Sequence, residues 1–155
     1  RVAQQNMPPH RHRRRHTGGR ATPAGHITRG GNMNKASWVF NLNGDARGIL
    51  RTLAPGVDAN IFPGEKVMLS VVTIAPHAKG SVHAHPEEQW GVLLEGKCTR
   101  IQGGEAIECS AGDFWYTPGG VMHGIVGGEA PARVLDIFSP PREEYKRAEI
   151  GRAHV

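Results

Sequence analysis

From Gly48 onward the chain is written in short runs of β-branched, aromatic and aliphatic residues, each closed by Gly, Pro or Asn. Ser37–Asn41 and Gly48–Leu53 are short strand candidates, and Ala54-Pro55-Gly56 marks a turn. Asn60–Phe62 ends at Pro63-Gly64. Lys66–Ile74 is dense in β-branched residues and stops at Ala75-Pro76. Gln89–Leu94 runs to Glu95-Gly96. Lys97–Gln102 and Glu105–Cys109 flank Gly103-Gly104, a pair suited to a two-residue hairpin turn. Phe114–Thr117 closes at Pro118-Gly119-Gly120, and Met122–Val126 and Arg133–Phe138 complete the series. Strands recurring at short intervals with turns between them predict an all-β sandwich or barrel. Pro141–Ala148 has Pro at a first helical position, acids early and bases late, which predicts one short C-terminal helix.

Composition changes this picture mainly at the N-terminus. The net charge is +5, but residues 1–33 carry seven Arg and no acid, while the rest holds twelve Lys+Arg against fourteen Asp+Glu. The basicity therefore belongs to a tail, and a domain over 34–155 is mildly acidic. The tail has few apolar residues to bury and four histidines (His10, His12, His16, His26), so residues 1–33 are expected to be a disordered Arg/His-rich extension. Met33, after Arg29-Gly30-Gly31-Asn32, is an alternative start. Nucleic acid gets little support as a partner except through this tail. No apolar run approaches the roughly 20 residues of a membrane span, and the N-terminus lacks the apolar core of a signal peptide. A soluble cytoplasmic protein, with no membrane partner, is the expectation. Cys98 and Cys109 would face each other across the proposed hairpin, and in such a compartment they are expected as two thiols.

Residues 80–126 carry the chemistry. His83 and His85 form an H-x-H pair, which on a strand puts both imidazoles on one face. Gln89 lies an even number of residues further on, and His123 follows more than thirty residues later beside its own Gly/Pro turn. Three His and one further donor make a site for a first-row divalent metal, with Zn, Ni, Fe, Mn and Co all compatible. Glu88 is the rival to Gln89 as fourth donor.

These two stretches resemble the motifs of the cupin superfamily, G-x5-H-x-H-x3,4-E-x6-G and G-x5-P-x-G-x2-H-x3-N. The second fits from Gly112 through Pro118 and Gly120 to His123, with Gly127 in place of the final Asn. In the first, Gly80 stands nearer to His83 than the pattern asks, and the six-residue spacing back from Gly96 selects Gln89 where the family has Glu. The resemblance covers roughly residues 65–145. It implies a single-domain jelly-roll β-barrel, often a homodimer. A neutral Gln beside three neutral imidazoles would leave the ion's full charge, favouring a carboxylate or enolate over a neutral ligand.

A narrower resemblance, to KdgF-type cupins, rests on His83-Ala84-His85-Pro86-Glu87-Glu88-Gln89 and on Asp136-Ile137-Phe138-Ser139-Pro140-Pro141-Arg142. Those proteins open the ring of 4,5-unsaturated uronates. The resemblance implies His83, His85, Gln89 and His123 as metal ligands, Asp136 moving a proton, Arg142 clamping a carboxylate and Phe138 packing on the sugar. The plainer alternatives are an ion pair of Arg142 with Glu143 or Glu144, Phe138 in the core, and Asp136 bound to a loop. Trp90, Trp115, Tyr116, Met68 and Met122 are further candidates to line a pocket. The expected function is a metal-dependent enzyme acting on a small carboxylated sugar or sugar acid. Two alternatives stay open: a dioxygenase, which would need a redox metal and lacks a facial-triad carboxylate unless Glu88 serves, and a non-catalytic metal or small-molecule binding module.

Overall fold

The structure, a computed structural model, describes residues 35–148. The expected extension over residues 1–33 lies outside them. The chain divides into Arg1–Ser37 and Trp38–Val155, and every strand lies in the second unit. The strands are β1 (Ile49–Ala54), β2 (Val57–Pro63), β3 (Met68–Ile74), β4 (Glu88–Glu95), β5 (Lys97–Gln102), β6 (Glu105–Ser110), β7 (Phe114–Thr117), β8 (His123–Gly127) and β9 (Ala132–Ser139). They form a six-stranded sheet in the order β1-β2-β3-β9-β4-β7 and a three-stranded sheet in the order β6-β5-β8. This is the all-β, double-sheet jelly roll that the resemblance implies.

Each strand of the large sheet alternates inward and outward side chains, and the pairing register stacks the inward ones into rows. Val57, Ile74 and Ala132 make one row, and Ala59, Val72, Val134 and Leu93 the next. Both are wholly apolar and form the floor of the core. The third row holds Ile61, Ser70, Asp136, Gly91 and Trp115, and the fourth Met68, Phe138, Gln89 and Thr117. Polar residues thus enter the interior in two adjacent rows only, at one end of the barrel. On the small sheet Gln102 pairs with His123 and Arg100 with Ile125, which brings their side chains to that end.

Three expectations need correction. Ser37–Asn41 is not a strand. Its neighbourhood is taken up by side-chain acceptors: Asn41 Oδ1 receives the Asn43 N–H at 2.7 Å and Asp45 receives the Asn41 N–H at 3.2 Å, so local turns replace ladder bonds. The C-terminal helix shrinks to one 3-10 turn, Glu143–Lys146, closed by Tyr145 N–H donating to Arg142 O at 3.0 Å. Only Tyr145 of that turn is buried, so no apolar stripe exists to hold a longer helix. The His83–His85 segment is extended but not part of a regular strand. It touches the small sheet through a single bridge in which His83 and His123 exchange both backbone hydrogen bonds at 2.9 Å. At Gly103 and Gly104 both φ angles are positive (57° and 85°), as the hairpin turn requires. It sets Cys98 opposite Cys109, both buried and unbridged.

Candidate metal centre

The reciprocal bridge is what joins the two halves of the site. It aligns His83 with His123, and period two along the extended segment returns His85 to the same side. The β7–β8 turn locks the arrangement from the other side. Gly120 N–H donates to His85 O at 2.8 Å, and Gly120 has φ +83°, a conformation that favours glycine. A Cβ on Gly119 would sit 2.2 Å from Pro86 O, so only glycine allows the turn to press this closely on the His85–Pro86 backbone. The Gly and Pro residues between the motifs therefore serve as spacers that set the distance between histidines.

The ligand atoms of His83, His85 and His123 lie within 4.8 Å of one another. His83 Nδ1–H donates to Ser81 O at 2.7 Å and His123 Nδ1–H donates to Val121 O at 2.8 Å. Because a backbone carbonyl only accepts, these bonds settle both tautomers and leave each Nε2 a lone pair facing the site. Burial pulls the His123 pKa down to about 4. It also lowers that of His85, helped by the charge of Arg142. The His85 and His123 imidazoles are thus neutral near pH 7, as ligands must be.

The fit of a cation can be tested at His85. Its Nε2 lies 3.0 Å from Gln89 Oε1, and its Nδ1 lies 3.3 Å from Glu87 Oε2. The Gln89 amide is oriented by its own Nε2, which donates to Asp136 Oδ1 at 2.9 Å. Both neighbours of His85 are therefore acceptors, while a neutral imidazole has one N–H. His85 Nδ1 and Glu87 Oε2 are in fact buried without a well-formed hydrogen bond. A cation held by the three histidines with Gln89 would remove the conflict and let Nδ1–H face Glu87. The three-His group with Gln89 fits a metal, and the nature of the ion is left open by so neutral a donor set.

Gln89 is 4% exposed and faces this cluster, whereas Glu88 is exposed on the opposite face of β4. Asp136 and Gln89 occupy adjacent inward rows of neighbouring strands, which explains their hydrogen bond. Burial pushes the Asp136 pKa up to about 6, against the opposing effects of the Gln89 hydrogen bond and the charges of Arg100, Arg142 and His83. Arg142 is 6% exposed, ion-paired with Glu144, and lies over the rings of Tyr145 (4.1 Å) and Phe138 (5.6 Å). Phe138 is core. Its ring is wedged between His85 and Tyr145 at 5.6 and 5.8 Å, where it seats the imidazole and the guanidinium. Trp90 and Tyr116 are exposed, and Trp115 packs on Gly91.

His83, Gln89, His123, Asp136 and Arg142 line one cavity of about 320 Å³. Arg100 and Ser70 also line it, and the motifs gave no sign of either. The signal for Arg100 was its parity: it alternates with Cys98 and Gln102 on β5, so a charged residue occupied an inward position.

A double-sheet jelly roll with three histidines able to hold a metal at one end defines a metal-capable cupin fold. Residues 70–138 match the family model described as the cupin domain, and the fold is that of a cupin. Among solved structures it is similar to KdgF from Halomonas sp., with 28% identity and a TM-score of 0.61, covering 71% of this chain and 98% of that one. It is also similar to an RmlC-like cupin from Shewanella frigidimarina (26% identity, TM-score 0.59, 64% and 89% covered). Oxalate decarboxylase of Bacillus subtilis shares the fold (22% identity, TM-score 0.58, 66% and 30% covered). No curated protein matches the chain. Among the described residues no helix is long and apolar enough to cross a membrane.

Proposed function

We propose that the protein is a metal-dependent isomerase of small sugar acids that opens the ring of a 4,5-unsaturated uronate. The observation that carries this reading is the Gln89–Asp136 hydrogen bond. It ties a half-buried acid–base group, with a pKa of about 6, to the proposed fourth donor of the three-His cluster inside one cavity. The similarity to KdgF supports the same reading.

His83, His85, Gln89 and His123 would hold a divalent ion, which when bound supplies Lewis-acid polarisation of a substrate oxygen. The remaining work falls to the chain itself. Asp136 takes the proton of the anomeric hydroxyl as the bond from the anomeric carbon to the ring oxygen breaks and a carbonyl forms. It then delivers that proton to carbon 4 as the enolate left on the former ring oxygen becomes a ketone. Atoms and electrons balance, and the net change is an isomerisation. A group with pKa near 6 both accepts and donates at neutral pH. Gln89 N–H holds the carboxyl in place, and Arg142, braced by Glu144 and the rings beneath it, closes the wall.

Incubation of metal-loaded protein with an unsaturated uronate should erase the ultraviolet absorbance of its conjugated alkene. Loss no faster than the spontaneous rate would rule the reaction out.

A further inference from the structure

Arg100 is a charged residue sealed into the barrel wall. It is 7% exposed, yet it makes no ion pair with a carboxylate among the described residues, unlike Arg47, Arg133 and Arg142. Its hydrogen-bond partners are neutral: Nη2 donates to Thr117 Oγ1 at 2.8 Å and to Gln102 Oε1 at 3.4 Å. Thr117 in turn donates to Gln102 Oε1 at 2.6 Å, and Gln102 Nε2 donates to Tyr116 O at 2.8 Å. This relay holds the guanidinium rigidly across the gap between the two sheets, with its carbon 5.2 Å from the Trp115 ring centre. Nε is buried with no acceptor. A buried cation whose hydrogen bonds all go to neutral groups, and on which the Asp136 carboxylate acts only from a distance, is stabilised when a ligand brings an anion into contact with it.

The geometry points to Arg100 as the anchor for the substrate carboxylate, fixed by Thr117 and Gln102 at the inner end of the metal cavity. The inference rests on the sugar-acid reading for the identity of the ligand, though not for the existence of an anion site. Arg100 lines the cavity together with His83, Gln89, His123 and Asp136. It also borders a hollow with Glu105, Glu108 and Asp113, which is already acidic, so an incoming anion is drawn to the cavity side. Arg142 already has Glu144 as its partner and is the weaker candidate for this task. A guanidinium in low dielectric forms charge-assisted hydrogen bonds with a carboxylate, and a hydroxyl in the same place leaves its charge uncompensated.

The test is calorimetric binding to zinc-loaded protein of D-galacturonate, D-galactose and pyruvate, with a metal-free arm to remove direct carboxylate–metal contact. Galacturonate should bind at least about tenfold more tightly than galactose. Arg100→Gln should abolish that preference while leaving galactose binding unchanged. Arg100→Lys should restore part of it, and Thr117→Val, which only loosens the anchor, should weaken it less than Arg100→Gln does. If Arg100→Gln does not fold, Arg100→Lys and Thr117→Val carry the test, and galacturonate affinity unchanged in both overturns the assignment. So does undiminished discrimination in folded Arg100→Gln. Pyruvate bound through Arg100 without galacturonate binding would leave the anchor standing and remove the sugar. An Arg100-dependent galacturonate complex, with no loss of alkene absorbance when the unsaturated uronate is supplied, would remove only the proposed reaction.

Discussion

Asp136→Asn should make the metal-free protein more stable at neutral pH while destroying its activity. A free carboxyl titrates near 3.8, and burial moves this one to about 6. The folded state therefore binds the proton more tightly than the unfolded chain does. Between these two values the native protein is protonated and the unfolded chain is not, so stability falls as pH rises through the window and levels off above it. At 1.36 kcal/mol per pH unit the loss is ~3 kcal/mol, equivalent to roughly 10 °C in melting temperature for a domain of this size. Asparagine is nearly isosteric, still accepts the Gln89 N–H through its Oδ1, and has no charge to desolvate. Wild-type and variant proteins stripped of metal should be melted from pH 4 to pH 8. The variant should gain on the wild type steadily between pH 4 and pH 6.5, and the gap should then stay constant. Histidine titration is common to both proteins and cancels to first order in the comparison. Parallel curves across the range would refute a perturbed Asp136. In the alkene assay the same substitution should lower kcat by about 10²–10⁴-fold, the usual worth of a positioned acid–base group.

Two other perturbations address the frame of the site and its occupancy. Gly119→Ala places a methyl group 2.2 Å from Pro86 O. It should cost about 1–3 kcal/mol in a urea melt and weaken metal binding, because the turn can relieve the clash only by withdrawing from His85. A variant with wild-type stability and metal affinity would show that the turn does not set the histidine spacing. His123→Ala should lower bound metal by about one ion per chain in elemental analysis and abolish the melting-temperature drop that chelation causes in the wild type, since an ion that binds only the native state stabilises it. If chelation still lowers the variant's melting temperature as much, the stabilising ion sits elsewhere, the His-rich tail included.

Much of this was legible in order along the chain, because strand punctuation and metal-ligand spacing are local. Gly103-Gly104 announced the hairpin, and the two-residue steps from His83 to His85 and from Asp136 to Phe138 announced shared faces. Local patterns misled where an isolated segment lacked a partner. Ser37–Asn41 has strand-like residues, but Asp45 takes the Asn41 N–H and Asn41 Oδ1 takes the Asn43 N–H, which turns the backbone away from a ladder. Pro141–Ala148 has helix-like charges but no apolar stripe to bury.

The site itself depends on register. Nothing local in β4 and β9 says that Gly91 pairs with Asp136 and Gln89 with Phe138, and that pairing places the Gln89 amide on the Asp136 carboxylate. Nor does β5 by itself reveal that Arg100 crosses to Thr117 on the other sheet. The sequence by itself determined most of the strands, the turns and the three-histidine group able to hold a metal, since each depends on residue type and short spacing. Tertiary structure alone decided which face Gln89 and Glu88 present, how the Asp136 carboxylate meets the Gln89 amide, and that the Arg100 guanidinium is buried against Thr117. Those are contacts between residues far apart in the chain, 17 positions for Arg100 with Thr117 and 47 for Gln89 with Asp136, and they exist only once strands have paired and the two sheets have closed on each other.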